Sequence, residues 1–287
     1  MPAYGGQAVI EGVLMRGKKA LAMANRTPEG NIVVHQEVLT GKNKKDIYKI
    51  PFLRGLITLW DAMVLGMKFL TISANIQTGE DEKLEGLSLY LTIGFSLLIG
   101  VGLFFLAPAA LASALENWTG ISSWLSNLFE GLLRLVILIV YLILVGKIPD
   151  IKRTFSYHGA EHKTINTFEA DLELTPENVM KQSTIHPRCG TSFILSLVLI
   201  SILLFSIIGP LPFISRMISR LLMIPFVAGI AYEYIRWTAL HLNKPLVRFI
   251  IQPNLALQKL TTREPDREML EVSIKAFETM YELESNS

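Results

Sequence analysis

The sequence has little charge and almost no cysteine. Charged residues make up 18% of its 287 residues, whereas hydrophobic residues make up 51%. One cysteine excludes a disulfide-stabilised scaffold and is typical of a reducing compartment. The formal net charge is only +2, so no basic surplus indicates binding to nucleic acid. A mean hydropathy of +0.40 excludes a disordered chain and indicates membrane segments.

Four stretches are apolar enough to cross a bilayer, which takes roughly 20 residues of helix. Glu130 and Arg134 lie inside the second stretch, where their spacing of four predicts an ion pair on one helix face. Arg216 and Arg220 precede the core of the fourth, and we expect their long side chains to reach the lipid headgroups. The predicted spans are 86–115, 128–147, 190–209 and 217–236.

A fifth apolar segment, 51–72, carries its charges on one helical face. Arg54, Asp61 and Lys68 recur every seven residues, a pattern that favours a helix lying in the membrane interface over a spanning one. The spanning alternative stays open, and it would move the lysines at 42, 44, 45 and 49 to the other side of the membrane.

The distribution of Lys and Arg predicts the orientation. Eleven precede the first span, none lies between the first and second, and six lie between the second and third. Both termini and the middle loop are therefore predicted to be cytoplasmic, in a multi-pass protein of the inner membrane. The predicted fold is an α-helical polytopic membrane protein with a small cytoplasmic α+β portion. Its soluble parts are 1–50 with a β-hairpin, the loop 148–189, and the tail 237–287 with an amphipathic helix.

The middle loop holds three of the five histidines and the single cysteine. His158 and His162 lie four residues apart on a helix predicted to start near Ser156, so both imidazoles can reach one metal ion. His186 and Cys189 follow before the third span and supply two further ligands that suit zinc. We predict a site for a divalent metal, zinc by its donor set, with Glu161 able to polarise a water as a general base.

Four more residues are candidates for supporting this site. Glu169 lies eleven residues after His158, on nearly the same face of an ideal helix. Arg188 and Arg16 could stabilise an anion. Glu11 lies among four glycines near the N-terminus, and it is either delivered to the site by a loop or solvated on an edge strand.

Four motifs in order resemble one family. They are Gly-Gly-Gln-Ala-Val-Ile-Glu-Gly-Val-Leu-Met-Arg-Gly at 5–17, Tyr-His-Gly-Ala-Glu-His-Lys at 157–163, His-Pro-Arg-Cys-Gly-Thr-Ser-Phe at 186–193 and Leu-Thr-Thr-Arg-Glu-Pro at 260–265. The chain resembles the bacterial YqhQ family, which is described as predicted metal-dependent membrane enzymes. Leu14 and Asn254 depart from the expected Met and Gly. The resemblance implies a metal site at 158, 161, 162, 186 and 189, and it implies no substrate.

Three functions remain open from the sequence. The first is a zinc-dependent hydrolase at the cytoplasmic membrane face, acting on a lipid or membrane-protein substrate. The second is a membrane scaffold or regulator with a structural metal closed by His158, His162, His186 and Cys189. A transporter has less support, because the sequence shows few intramembrane charges and no paired broken helices. The sequence does not indicate an oligomeric state.

Overall fold

The computed structural model describes residues 4–39, 50–78, 86–209 and 211–286. The chain is mostly helical with one four-stranded antiparallel sheet of order β1-β2-β3-β4. The strands are β1 Gly5–Val9, β2 Gly12–Arg16, β3 Ala20–Arg26 and β4 Ile32–Val38. The predicted hairpin of β3 and β4 is confirmed, with Ala20 opposite Val38 and Arg26 opposite Ile32.

Twelve α-helices are described, and the second and third join through a π-helical segment at Gly102–Leu106. They are α1 Leu53–Thr78, α2 Gly86–Val101, α3 Ala107–Thr119, α4 Ser123–Val145, α5 Pro149–Glu169, α6 Pro176–Met180, α7 Thr191–Ile208, α8 Phe213–Leu222, α9 Ile224–Leu240, α10 Pro245–Ile250, α11 Gln252–Thr261 and α12 Arg267–Ser285.

Four helical segments are long and apolar enough to cross a membrane, and they make this a multi-pass membrane protein: Leu53–Thr78, Gly86–Thr119, Ser123–Val145 and Thr191–Ile208. A fifth span is possible if α8 and α9 are counted together. These two helices meet at an angle of 44°, and the predicted span 217–236 covers parts of both. Pro225 lies in the first turn of α9, where a proline cannot donate the hydrogen bond that would continue α8.

The two arginines of α8 are buried inside the helical bundle, contrary to the prediction that they reach the headgroups. Arg220 is fully buried and donates to both carboxylate oxygens of Glu130 at 2.7 Å. Arg216 is 1% exposed and donates to Glu116 at 2.7 Å. The predicted pair of Glu130 with Arg134 is confirmed at 2.8 Å. Sequence spacing identifies only the local partner, since the contact with α8 joins positions 90 residues apart.

The sheet is covered on both faces. On one face, α12 and α5 pack on residues such as Val13 and Ala22. The amphipathic helix predicted in the tail is α12: Leu270, Ile274 and Phe277 are buried in this cluster, whereas Tyr281, on the same stripe, is exposed. α5 begins at Pro149 rather than near Ser156, because the proline occupies the first turn, where its missing N–H costs no hydrogen bond.

On the other face, the C-terminal half of α1 packs on the sheet. Phe69 is fully buried against this face. The Ser73 hydroxyl accepts from the Ile10 N–H at 3.2 Å, and the Gln77 amide donates to the Arg26 carbonyl at 2.7 Å. An interfacial position for this helix remains a prediction. The lysines at 42, 44, 45 and 49 lie outside the described residues.

Candidate metal site

α5 places His158 and His162 on one face, with their ring centroids 4.4 Å apart. The spacing of four residues is just over one helical turn, so the two side chains stack along the helix axis. Cys189 is buried in the segment that leads into α7. Its Sγ lies 3.2 Å from His158 Nε2.

The protonation of both imidazoles follows from their backbone partners. His158 Nδ1 is 2.9 Å from the carbonyl oxygen of Thr261, and His162 Nδ1 is 2.6 Å from that of Thr184. A carbonyl oxygen only accepts, so each Nδ1 carries the proton and donates it. In the neutral ring the Nε2 atom then keeps its lone pair. This is the usual arrangement around a metal-ligating histidine, whose other nitrogen donates to a fixed acceptor.

The ligand atoms of His158, His162 and Cys189 lie within 4.8 Å of one another, so this group could hold a metal ion. The Nε2 of His162 is buried and has no hydrogen-bond partner among the described residues. Leaving such an acceptor unsatisfied costs about 1–3 kcal/mol, and a metal ion at this position would remove that cost. Two imidazole nitrogens and one thiolate form a donor set that suits zinc.

The segment that supplies the Thr184 carbonyl is held against α5 by two side chains. Lys163 is 3% exposed, and its Nζ donates to the carbonyls of Met180 and Gln182, both at 2.7 Å. Asn166 donates to the Ser183 carbonyl at 2.8 Å. Asn166 also donates to the Ile185 carbonyl at 3.2 Å, so these contacts fix the backbone on both sides of the acceptor and with it the orientation of the His162 ring.

The segment that supplies the Thr261 carbonyl approaches α5 at a glycine. A methyl group on Gly159 would overlap the carbonyl oxygen of Arg263. The Arg263 N–H in turn donates to the Phe155 carbonyl at 2.9 Å. The glycine inside the His-Gly-Ala-Glu-His motif is therefore needed for close backbone approach, which positions the acceptor for His158.

Glu161 is buried, and it lines the same cavity of about 390 Å³ as His158 and Cys189. Burial raises the pKa of its carboxyl to about 6, although the charge of His158 and a hydrogen bond from the Gly6 N–H act to lower it. Gly6 belongs to β1, and a Cβ added there would meet the Leu14 carbonyl at 2.6 Å and the Glu161 side chain at 3.0 Å. The absence of a side chain at Gly6 therefore leaves room for Glu161.

His186, Glu169 and Arg188 form a separate cluster beside the three ligands. The His186 ring centroid lies 5.9 Å from that of His162. Its Nδ1 accepts from the Arg188 N–H at 3.4 Å, and its Nε2 lies 3.4 Å from Glu169, which also pairs with the Arg188 guanidinium. Burial, together with the charge of His162, lowers the pKa of His186 to about 4. The structure thus brings together three of the four predicted ligands and places His186 next to them.

Glu11 and Arg16 lie away from the ligands. Glu11 occupies the turn between β1 and β2 with a φ of 50°, and its carboxylate accepts from Arg153 at 2.5 and 2.6 Å and from the Tyr157 hydroxyl at 3.2 Å. The Arg153 hydrogen bonds hold the pKa of Glu11 below its usual range. Arg16 ends β2 and does not line the cavity. Glu11 therefore links the β1–β2 turn to α5, and one of its partners there, Tyr157, directly precedes His158.

The residues that the sequence did not reveal are the backbone acceptors at Thr184 and Thr261. Carbonyl groups have no residue-specific signature, so spacing arguments miss them. One signal was present: Thr261 lies in the Leu-Thr-Thr-Arg-Glu-Pro motif at 260–265, whose role the sequence left unassigned. The structure places this motif directly against His-Gly-Ala-Glu-His.

Comparisons with known proteins give a family without an assigned function. Residues 50–283 match the family described as "Protein of unknown function (DUF1385)". The chain is 37% identical over 301 aligned residues to a Bacillus subtilis (strain 168) protein named "Uncharacterized protein YqhQ", covering 100% of this chain and 94% of that protein. No solved structure matches the chain.

Proposed function

The chain belongs to the DUF1385 family, and from the geometry of its site we propose that it is a metal-dependent membrane enzyme of the hydrolase type. One observation carries the proposal. Three ligand atoms lie close together beside a cavity that Glu161 lines, and one of them, His162 Nε2, has no hydrogen-bond partner in the part of the chain that the structure describes. Catalytic zinc sites have three protein ligands and an open position, whereas structural sites are closed by four.

In this proposal, different residues bind the metal and transfer the proton during hydrolysis. His158, His162 and Cys189 would hold the metal, and the Thr261 and Thr184 carbonyls keep the two Nε2 atoms free for binding. A bound divalent ion, zinc by this donor set, supplies Lewis acidity that polarises the bond under attack. The Glu161 carboxylate accepts a proton from the attacking water and donates it to the leaving group. A carboxyl group with a pKa near 6 is ionised at neutral pH and can still return the proton.

The position of the site favours a substrate at the membrane. α7, an apolar candidate span, begins two residues after Cys189. The lysine and arginine distribution favours the cytoplasmic face for this end of the helix. A lipid-linked group or a membrane protein can reach the cavity without leaving the bilayer surface.

A structural metal site is the second candidate, and His186 is the observation that favours it. Its ring lies 5.9 Å from that of His162 and lines the same cavity. Rotation of the ring away from Glu169 would offer a fourth ligand. A site closed in this way has no open position for a substrate.

Metal analysis of the purified protein separates these outcomes. We expect about one zinc per chain in the wild type and loss of zinc in His162→Ala and Cys189→Ala. His35→Ala is the matched control, because His35 is exposed on β4. X-ray absorption should give two nitrogen ligands and one sulfur ligand from the protein, and His186→Ala should retain the metal. Absence of stoichiometric metal refutes both candidates, and loss of metal in His186→Ala favours the structural one.

A further inference from the structure

The cavity lined by His158, Glu161 and Cys189 is also bordered by the free edge of a β-sheet. β1 is the first strand in the order β1-β2-β3-β4, so only β2 pairs with it among the strands of the described residues. All of β1 except its last residue, Val9, lines the cavity, together with Tyr4 before it. Gly6 and Gln7 are exposed. An accessible strand edge offers unpaired backbone groups to a further strand.

The strand register identifies which backbone groups face outward. The two-residue turn at Ile10 and Glu11 makes Val9 and Gly12 the hydrogen-bonded closing pair. Because such pairs alternate along an antiparallel ladder, the N–H and C=O groups of Gly6 and Ala8 point away from β2. Gly6 also lies against Glu161, whose side chain a Cβ at Gly6 would meet at 3.0 Å. The Gly6 carbonyl and both backbone groups of Ala8 have no other backbone partner within the described ranges and can bind a ligand.

The cavity has the shape of a groove between β1 and α5. Its two long walls are Tyr4–Ala8 and the face of α5 that runs from Thr154 to Ile165, and the segment before α7 closes one side. Four residue steps along a strand cover about 13 Å. Gly5 leaves the groove open at its start, because a Cβ there would meet no atom within 4 Å. The groove therefore fits a short extended segment of about four residues.

The chemistry of the edge favours a polypeptide over an acyl chain. A lipid tail in this groove would bury the Gly6 and Ala8 backbone groups without hydrogen bonds, which is unfavourable. An extended peptide supplies a donor and an acceptor at every second residue, matching the alternation of β1. Hydrogen bonds to the main chain would give affinity with little dependence on the side chains of the substrate.

We propose that an extended polypeptide segment binds along the free edge of β1 as an added strand and passes Glu161 and the three ligands. This inference rests on the proposed hydrolase function, and it specifies that the substrate is a peptide. In that reaction the oxygen of water bonds to the peptide carbonyl carbon and the C–N bond breaks. Glu161 takes a proton from the water and delivers it to the leaving amine nitrogen.

A proline substitution tests the strand edge without removing a ligand. Ala8→Pro deletes an N–H that points to the groove and leaves the ladder with β2 intact, as proline is tolerated at outward positions of edge strands. Gln36→Pro is the matched control on β4, the opposite edge. The Arg26 N–H donates to the Glu11 carbonyl, on the β2 side of β3, so the backbone groups of its β4 partner Ile32 point away from β3. Outward positions recur at every second residue of a strand. The N–H of Gln36, four residues after Ile32, therefore also points outward.

The binding experiment uses full-length Glu161→Gln protein in nanodiscs, so that no peptide is consumed. Two pools of capped hexapeptides with randomised sequences are offered, one unmodified and one methylated at every backbone amide nitrogen, and the retained peptide is measured by mass spectrometry. We expect at least ten-fold greater retention of the unmodified pool. Adding Ala8→Pro should reduce that retention to the level of the methylated pool, whereas adding Gln36→Pro should leave it unchanged. Equal retention of the two pools, or full retention with Ala8→Pro, overturns the proposal.

A hydrolysis assay distinguishes this failure from failure of the proposed function. Wild-type protein is given the unmodified pool with an internally quenched fluorophore, and cleavage should require both Glu161 and an intact β1 edge. Cleavage that persists in Ala8→Pro refutes edge binding and supports the hydrolase. Retention without cleavage supports the peptide groove and refutes the hydrolase.

Discussion

Replacing Glu130 with glutamine should strongly destabilise the helical bundle. One Glu130 oxygen accepts from Arg134 at 2.8 Å and from Arg220 Nε at 2.7 Å, and the other accepts from Arg220 at 2.7 Å. Glu130 and Arg134 are each 1% exposed and Arg220 is fully buried. Glutamine would direct an amide N–H₂ group at a guanidinium and leave two buried cations without their shared carboxylate.

Removing one partner of a buried ion pair lowers the free energy of unfolding by about 3–5 kcal/mol. For a chain of this size that free energy lowers Tm by on the order of 10 °C. Other contacts keep the arginines in place: Arg134 also donates to the Phe104 carbonyl, in the π-helical segment, at 2.8 Å. The Arg220 guanidinium lies 4.0 Å from the centroid of the Phe205 ring. We therefore expect the variant to fold but to unfold at a lower temperature.

Thermal unfolding in detergent, followed by the loss of monodisperse protein on size-exclusion chromatography, measures the effect. Glu116→Gln is the matched control, because its side chain is 23% exposed and pairs with one arginine, Arg216. Glu116→Gln should cost less than Glu130→Gln, because it leaves one arginine rather than two without a carboxylate and water reaches the Glu116 side of the pair. If Glu130→Gln lowers Tm no more than Glu116→Gln, the buried arrangement of Arg134 and Arg220 around one carboxylate is wrong.

Three further predictions test the site and its surroundings. Gly159→Ala should reduce metal content and stability together, because its methyl group would displace the Arg263 backbone from α5; unchanged metal content contradicts the close approach. Glu11→Gln should lower stability by about 1 kcal/mol at neutral pH. Because folding lowers the pKa of Glu11, its contribution is present above the unfolded pKa of about 4.3 and is lost as pH falls through the lower folded value. The Tm difference from wild type should therefore vanish in acid, and a difference independent of pH refutes this role. If α1 lies in the interface, cysteines introduced at Ile50, just before α1, and at Lys152 on α5, in a variant lacking the natural cysteine, should react with an impermeant maleimide from the same side of the membrane. Labelling from opposite sides would show that α1 spans.

Much of the candidate site was accessible from the sequence because its main ligands are local. His158 and His162 obey helical spacing, and any helix over these residues brings their rings together. Cys189 is 27 residues from His162, but its place before an apolar span brought it to the same end of the bundle. The predicted helix start near Ser156 was wrong by two turns without affecting this result, since the spacing of the two histidines depends only on the helix continuing between them.

The residues that give the site its properties are set by long-range contacts, which spacing does not encode. The acceptor for His158 lies 103 residues away, and the free edge of β1 reaches Glu161 from the other end of the chain. The same reasoning explains the arginines of α8: their sequence neighbours suggested lipid headgroups, whereas their carboxylate partners are supplied by α3 and α4. In each case a residue type was informative about chemistry, and the packing of distant segments decided its partner. Glu161 combines both cases, because the helix places it beside the ligands and the glycine at position 6 of β1 leaves room for its side chain.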